Sequence, residues 1–172
     1  MTVHEFIQRA TAQTGKGAVY RFGGGRTTPY GSSPLDETRG CDCSAFVCWC
    51  ARIEKYQGHQ LWWLKKLNDG WLNTDGIWVD AVQHRQGFFD ELEKPEIGAI
   101  AVYPASHVAG VSGPKIGHTG IVTHIEDDVV TGVIHCSSSN YRNYGDAIYM
   151  TDNSVFRGKK ALRYVWPASV TP

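Results

Sequence analysis

Apolar side chains recur every three or four positions near the start of the chain, which predicts a helix from Thr2 to Thr14. Two glycines directly after this segment end it. A second helix is predicted from Ser44 to about Tyr56, where a mostly apolar run has helical spacing. The residues between Thr27 and Gly40 are rich in Gly and Pro, so we expect a loop between the two helices.

A Trp-rich segment follows at about residues 57–95 and holds four of the six tryptophans. Short helices are predicted there at Leu61–Leu67 and from Asp75 to about Arg85, with Thr74 as the N-cap of the second. We expect most of these indole rings to pack in the core and one or two to lie at the rim of a cleft.

The pattern changes after Ile97 to short β-rich runs separated by turn residues. Glu126–Asp128 is a predicted hairpin turn. Helices followed by an antiparallel meander indicate an α+β fold, and without repeats or linkers we expect one domain over residues 1–172. The predicted strands are Ala99–Tyr103, His118–Ile125, Val129–His135, Ile148–Met150 and Ala161–Trp166.

Charge and hydropathy exclude several classes of protein. The 17 basic residues balance the 17 acidic ones, and no basic patch is visible, which argues against nucleic-acid binding. No apolar run approaches the roughly 20 residues of a membrane span. The first 18 residues lack the apolar core of a signal peptide, so we expect synthesis in the cytoplasm without an export signal.

Five cysteines are present, and an odd number without a signal peptide argues against a disulfide framework. Their C-x-C spacing differs from that of the usual zinc knuckles, although a zinc site stays an alternative. Cys48, Cys50 and Cys136 are expected to be small core residues.

Cys43 has the setting of a nucleophile because it stands where a turn-rich loop meets an apolar helix. A thiol at a helix N-terminus faces free N–H groups and the positive end of the helix dipole, and both favour the reactive thiolate. A buried free cysteine is also common in ordinary cores, so the interpretation needs a partner base.

Two of the seven histidines are placed to supply that partner. His118 opens one predicted strand and His135 ends the next, so a hairpin between them brings the two rings together. Either ring alone could be an ordinary strand histidine. One thiol at a helix start with two imidazoles on paired strands favours a cysteine hydrolase.

Taken in order, five segments resemble the motifs of NlpC/P60-type cysteine peptidases, a papain-like family that cleaves peptidoglycan stem peptides. They match the family's entry motif, its nucleophile motif, its two histidine-bearing strands and its closing strand. The segments are Tyr20–Gly24, Asp42–Val47, Gly117–Val122, Val133–Ser137 and Arg163–Val165.

The resemblance implies a papain-like fold, with N-terminal helices packed on a five- to six-stranded antiparallel sheet. It also implies that Cys43 is the nucleophile, His118 the general base and later acid, and His135 the residue that orients His118. No metal or cofactor is required by such a mechanism.

Three further residues match substrate-binding positions of the family. Tyr20 would place its hydroxyl beside the nucleophile, and Asp42 and Ser44 would hold the free amine of an N-terminal L-alanine. Helix capping is the alternative role for Asp42 and Ser44, and core packing is the alternative for Tyr20.

The implied activity is hydrolysis of stem-peptide amide bonds through a thioester, at the D-Glu/meso-diaminopimelate type of linkage. The Trp-rich segment is not typical of the family, so which amide bond is cleaved stays open. A CHAP-like N-acetylmuramoyl-L-alanine amidase or cross-bridge endopeptidase is one alternative. A non-catalytic domain that binds the wall or a partner is another, and a cysteine-centred acyltransferase is a third.

The expected partner is peptidoglycan or a muropeptide, with neither nucleic acid nor membrane involved. An inhibitor or immunity protein is a candidate partner, and the chain is expected to be a monomer. Without an export signal, such an enzyme would act on the wall after phage lysis or delivery, or on muropeptides in the cytoplasm.

Overall fold

The computed structural model describes residues 1–25, 34, 40–58, 60–84, 87–105 and 115–171. Most of the predicted loop from Thr27 to Gly40 therefore lies outside the described residues. Within them, the chain forms five α-helices: α1 (Val3–Thr11), α2 (Cys43–Cys50), α3 (Trp62–Asn68), α4 (Thr74–Val79) and α5 (Ser138–Tyr144).

The described strands form one six-stranded sheet in which all paired neighbours are antiparallel, in the order β1-β6-β2-β3-β4-β5. This arrangement confirms the α+β prediction, and six strands fall within the five- to six-stranded sheet that the family resemblance implies. The strands are β1 (Phe89–Leu92), β2 (Ile100–Tyr103), β3 (His118–Glu126), β4 (Val129–Cys136), β5 (Ile148–Thr151) and β6 (Arg163–Pro167).

Both N-terminal helices begin at side-chain caps. In α1, Thr2 and Glu5 form a reciprocal capping box. In α2, the Asp42 carboxylate accepts the Ala45 N–H, so this helix begins one residue earlier than predicted. It also ends at Cys50 rather than near Tyr56, because the chain turns at Arg52, whose φ is 54°.

The middle of the chain departs from its predicted boundaries. Asn73, not Thr74, caps α4 by accepting the Gly76 N–H. The α-helix ends at Val79 and continues as a π-helical turn over Asp80–His84, and the predicted end at Arg85 lies outside the described residues.

The sequence analysis missed one strand and one helix. The missed strand is β1, which is four residues long and lies at the sheet edge. The missed helix is α5, in which Asn140 is the only buried residue, so it has no apolar stripe to predict it. Ser137 caps α5 and links it directly to the end of β4.

The hairpin between β3 and β4 turns where it was predicted. Asp127 and Asp128 have φ values of 49° and 60°, as the two central residues of a type I′ turn require. Two register irregularities on either side of His124 cancel, so Ile121 pairs with Ile134 in the same register as the residues next to the turn.

The main core lies between the helices and one face of the sheet and includes Phe6, Phe46 and Ile121. A smaller cluster on the other face surrounds Phe156. Trp63 and Trp78 of the Trp-rich segment are buried in the main core, whereas Trp62 is 67% exposed.

Candidate active site

A cavity of about 670 Å³ opens at the start of α2. It is lined from several distant parts of the chain, including the loop before α2, the Trp-rich segment, β3, β4 and α5. Every residue that the sequence analysis selected for the site lines it: Tyr20, Asp42, Cys43, Ser44, His118 and His135.

Cys43 is the first residue of α2 and is only 8% exposed. Burial raises the pKa of its thiol to about 12, and the negative charge of Asp42 adds to this effect. Lys55 and the backbone of Thr119 act in the opposite direction. The net shift in the pKa of the thiol is therefore upward, opposite to the shift that a helix N-terminus alone favours.

His118 and His135 are joined directly, with 2.8 Å between His118 Nε2 and His135 Nδ1. Because Ile121 pairs with Ile134, the two histidines are diagonal neighbours across β3 and β4. Their rings are perpendicular, at an interplanar angle of 89°. The predicted meeting of the two imidazoles across the hairpin is thus present in the structure.

Gly120 makes this contact sterically possible. A Cβ atom at this position would lie 2.8 Å from the Cβ of His135 and 3.0 Å from the carbonyl oxygen of Ile134. The nearest atom would be Val133 Cγ1, at 2.7 Å, so any side chain here would force β4 to shift at Val133–His135, and a glycine is needed for the present position of His135.

The two imidazoles lie in apolar surroundings. Phe156 stacks on the His118 ring, with the centroids 5.3 Å apart, and meets the His135 ring edge-on. Burial lowers the pKa of His118 to about 3, with a further contribution from His135, and burial lowers the pKa of His135 to about 4. Both rings are therefore neutral at pH 7.

Asp42 belongs to a buried ion pair that the sequence analysis did not predict. Lys55 Nζ lies 3.0 Å from Asp42 Oδ1 and 3.2 Å from Oδ2, and it also donates to the Gly24 carbonyl oxygen. The same Oδ1 accepts the Ala45 N–H and the Ser44 hydroxyl. The capping role considered for Asp42 is therefore present, and both charged groups line the cavity.

Tyr20 also lines the cavity and forms an isolated parallel bridge with Cys41. Burial raises the pKa of its phenol, and the neighbouring Cys43 contributes to this effect. The phenol of this cavity-lining residue is therefore protonated at neutral pH. Trp71 also lines the cavity and is the one tryptophan of the described segment to do so.

The cysteines are free thiols, and all five are buried. Cys48, Cys50 and Cys136 are at most 1% exposed, as expected of core residues. In the described part of the chain, no group of three or more His, Cys, Asp or Glu side chains is arranged to hold a metal ion.

Comparison with protein families gives one match over more than half of the chain: the model described as CHAP domain covers residues 34–140. The chain belongs to the CHAP domain family. This family comprises cysteine peptidases and amidases, and the protein is a cysteine peptidase/amidase. The prediction of a cell-wall cysteine peptidase of the NlpC/P60 type is confirmed at this level, and the matching branch is the CHAP branch that was kept as an alternative.

Two solved structures are similar to this CHAP protein over most of its length. One is described as the crystal structure of the NlpC/p60 domain of peptidoglycan hydrolase SagA, at 14% identity and a TM-score of 0.45, covering 96% of this chain and 98% of that one. The other is the crystal structure of Ly7917 with the hydrolyzing product of MDP, at 18% identity and a TM-score of 0.49, covering 98% of this chain and 63% of that one. No curated protein matches the chain.

None of the helices in the described part of this CHAP protein has the length and apolar character needed to cross a bilayer.

Proposed function

We propose that this CHAP protein hydrolyses an amide bond of the peptidoglycan peptide through a thioester on Cys43. The observation that carries the proposal is the presence of one thiol and two hydrogen-bonded imidazoles in a single cavity. Cys43 is the nucleophile, His118 transfers the proton, and His135 orients His118.

The reaction begins when Cys43 Sγ attacks the amide carbonyl carbon while the thiol proton passes to His118. The tetrahedral intermediate collapses, the C–N bond breaks, and His118 gives its proton to the leaving amine. Water then attacks the thioester with His118 as base, which releases the carboxylate product and restores the thiol. Backbone N–H groups at the start of α2, including that of Cys43, stabilise the oxyanion.

The protonation states of the resting site fit this sequence of steps. A thiol with a raised pKa and an imidazole with a lowered pKa form a neutral pair. The proton then moves as the carbon–sulfur bond forms, and the positive His118 is stabilised by the negative charge that develops in the intermediate.

We propose the D-Glu/meso-diaminopimelate type of linkage as the bond cleaved. Lys55 favours a second candidate, an N-acetylmuramoyl-L-alanine amidase or cross-bridge endopeptidase. The Lys55 ammonium already occupies both carboxylate oxygens of Asp42, one of the two residues proposed to receive the free L-alanine amine. An enzyme that needs no free amine can act on stems that are still attached to the glycan.

Digestion of purified sacculi and of defined muropeptides, with and without a free L-alanine amine, tests the reaction and the bond together. Mass spectrometry of the products identifies the new amine and the new carboxylate. The Cys43→Ala variant should give no product. Cys48→Ala, which removes a buried thiol outside the cavity, should remain active. Product formation by a folded Cys43→Ala protein would refute the proposal, and binding without Cys43-dependent products would favour the non-catalytic alternative.

Comparing the loss of kcat in two variants tests which histidine is the base and which is the orienting residue. His118→Ala should reduce kcat more than His135→Ala, because only His118 carries the proton in the reaction. The reverse order would exchange the two roles.

We also propose that residues 1–172 act as one catalytic domain and as a monomer, because the cavity is built from distant segments of a single chain. An inhibitor or immunity protein would be expected to cover this cavity. The enzyme would meet its substrate at the wall after phage lysis or delivery, or as released muropeptides in the cytoplasm.

A further inference from the structure

Thr151 on β5 is in direct contact with the histidine pair. Its Oγ1 lies 2.9 Å from His135 Nε2, and the same hydroxyl donates to the Asp152 carbonyl oxygen at 3.0 Å. The hydrogen bonds therefore form one continuous series from His118 through His135 and Thr151 to a backbone carbonyl. Each member of the series has a limited number of protons to donate, so its direction can be worked out.

The Asp152 carbonyl fixes the direction because a carbonyl oxygen can only accept. The single hydroxyl proton of Thr151 is used there, so Thr151 must accept a proton from His135 Nε2–H. A neutral His135 with its proton on Nε2 has a lone pair on Nδ1, which accepts from His118 Nε2–H. A neutral His118 is then left with its lone pair on Nδ1.

We propose that Thr151 is a positioning residue that sets the tautomers of both histidines and keeps a lone pair of His118 free to accept the proton of Cys43. The inference rests on the proposed function, in which His118 is the base. It adds a residue that touches neither the substrate nor the nucleophile and acts only through His135.

Loss of the Thr151 hydroxyl should allow the opposite arrangement. Without an acceptor at Nε2, His135 can carry its proton on Nδ1 and donate it to His118 Nε2. His118 would then hold its own proton on Nδ1 and could not accept another while neutral. A fraction of the enzyme would be in an unproductive protonation state although its side chains had scarcely moved.

The test compares Thr151→Val with Thr151→Ser. Valine keeps the shape and the strand preference of threonine but lacks the hydroxyl, whereas serine keeps the hydroxyl. Thr151→Val should lower kcat about tenfold, as loss of an outer hydrogen-bond partner commonly does, with little change in KM. Thr151→Ser should remain close to the wild type.

Nitrogen-15 NMR of the imidazole rings supplies a readout that a purely structural role would not change. The wild type should show His135 protonated at Nε2, and Thr151→Val should show a population protonated at Nδ1. Thr123→Val is the matched control, because Thr123 Oγ1 lies 3.0 Å from His124 Nδ1 at a site that does not line the cavity. Its kcat and the His135 signals should stay unchanged.

Three results would overturn the proposal: Nδ1 protonation of His135 in the wild type, a loss of kcat in Thr151→Val without a change of tautomer, or an equal loss in Thr151→Ser. The tautomers are measured in the resting protein. An absence of Cys43-dependent hydrolysis would therefore refute the proposed function and would still leave the effect of Thr151 on His135 measurable.

Discussion

Acidification should destabilise this fold through the histidine pair. Burial holds the pKa of His118 at about 3 and that of His135 at about 4, whereas an unfolded histidine has a pKa of about 6.5. Between these values the unfolded chain binds protons that the folded protein excludes. The stability contributed by the neutral rings is therefore complete above about pH 6.5 and is lost as the pH falls below it.

The size of this stability loss follows from the difference between the assay pH and the pKa of histidine in the unfolded chain. An assay at about pH 5 lies roughly 1.5 pH units below that pKa. At 1.36 kcal/mol per pH unit, one ring then lowers the free energy of unfolding by about 2 kcal/mol. Two independent rings would give about 4 kcal/mol. In the folded protein the rings are 2.8 Å apart and a proton on one opposes a proton on the other, which helps to keep both neutral at this pH, so we expect a loss close to the larger figure.

Urea unfolding at about pH 7 and pH 5 measures this loss as a change in the free energy of unfolding. Other groups also titrate in this range, so the informative quantity is the difference between the wild type and a His118→Gln/His135→Gln variant. His124→Gln is the control, because His124 is exposed on β3 and does not line the cavity. If the double variant loses as much stability on acidification as the wild type, the two rings are not held neutral by burial.

Two further substitutions test steric and electrostatic features of the site. Gly120→Ala should displace His135 and cost about 1–3 kcal/mol of stability, with up to about a 100-fold loss of kcat. Gly132→Ala is the control and should have a smaller effect on activity, because the added methyl group meets the exposed side chain of His124. A fully active Gly120→Ala enzyme would contradict the steric argument. Lys55→Met leaves the buried Asp42 charge unpaired and should lower the free energy of unfolding by about 3–5 kcal/mol in urea titrations. Adding Asp42→Asn to Lys55→Met should recover part of that loss, because asparagine still caps the helix. Equal stability of Lys55→Met and the wild type would show that the ion pair contributes little.

Local patterns in the sequence were sufficient for much of the fold. The spacing of apolar residues predicts α1, and the turn residues at Asp127 and Asp128 predict the hairpin that aligns β3 with β4. The same patterns fail for α5, which lacks an apolar stripe. They also fail at the end of α2, where one left-handed residue, Arg52, stops the helix inside an apolar run.

The position of Cys43 at the start of a helix was predictable, but the direction in which its pKa shifts was not. The sequence places Cys43 at a helix start, and from this one expects a thiolate. Whether that tendency prevails depends on how much water reaches the sulfur, and Cys43 is only 8% exposed in the folded protein. Desolvation is a property of the assembled cavity and cannot be read from the residues next to the cysteine.

The residues that adjust the site share no motif with the residues that perform the chemistry. Lys55 follows Asp42 by 13 positions and Thr151 follows His135 by 16, and in both cases the two partners lie on different segments of the chain. Each acts by fixing the charge or the proton of a neighbour: Lys55 neutralises Asp42, and Thr151 sets the direction of the hydrogen bonds through His135. Family membership therefore indicates the reaction, whereas the bond that is cleaved and the pH range of the enzyme depend on contacts made between distant elements. A change at Lys55 or Thr151 should accordingly alter selectivity or rate while leaving every recognisable motif of the chain intact.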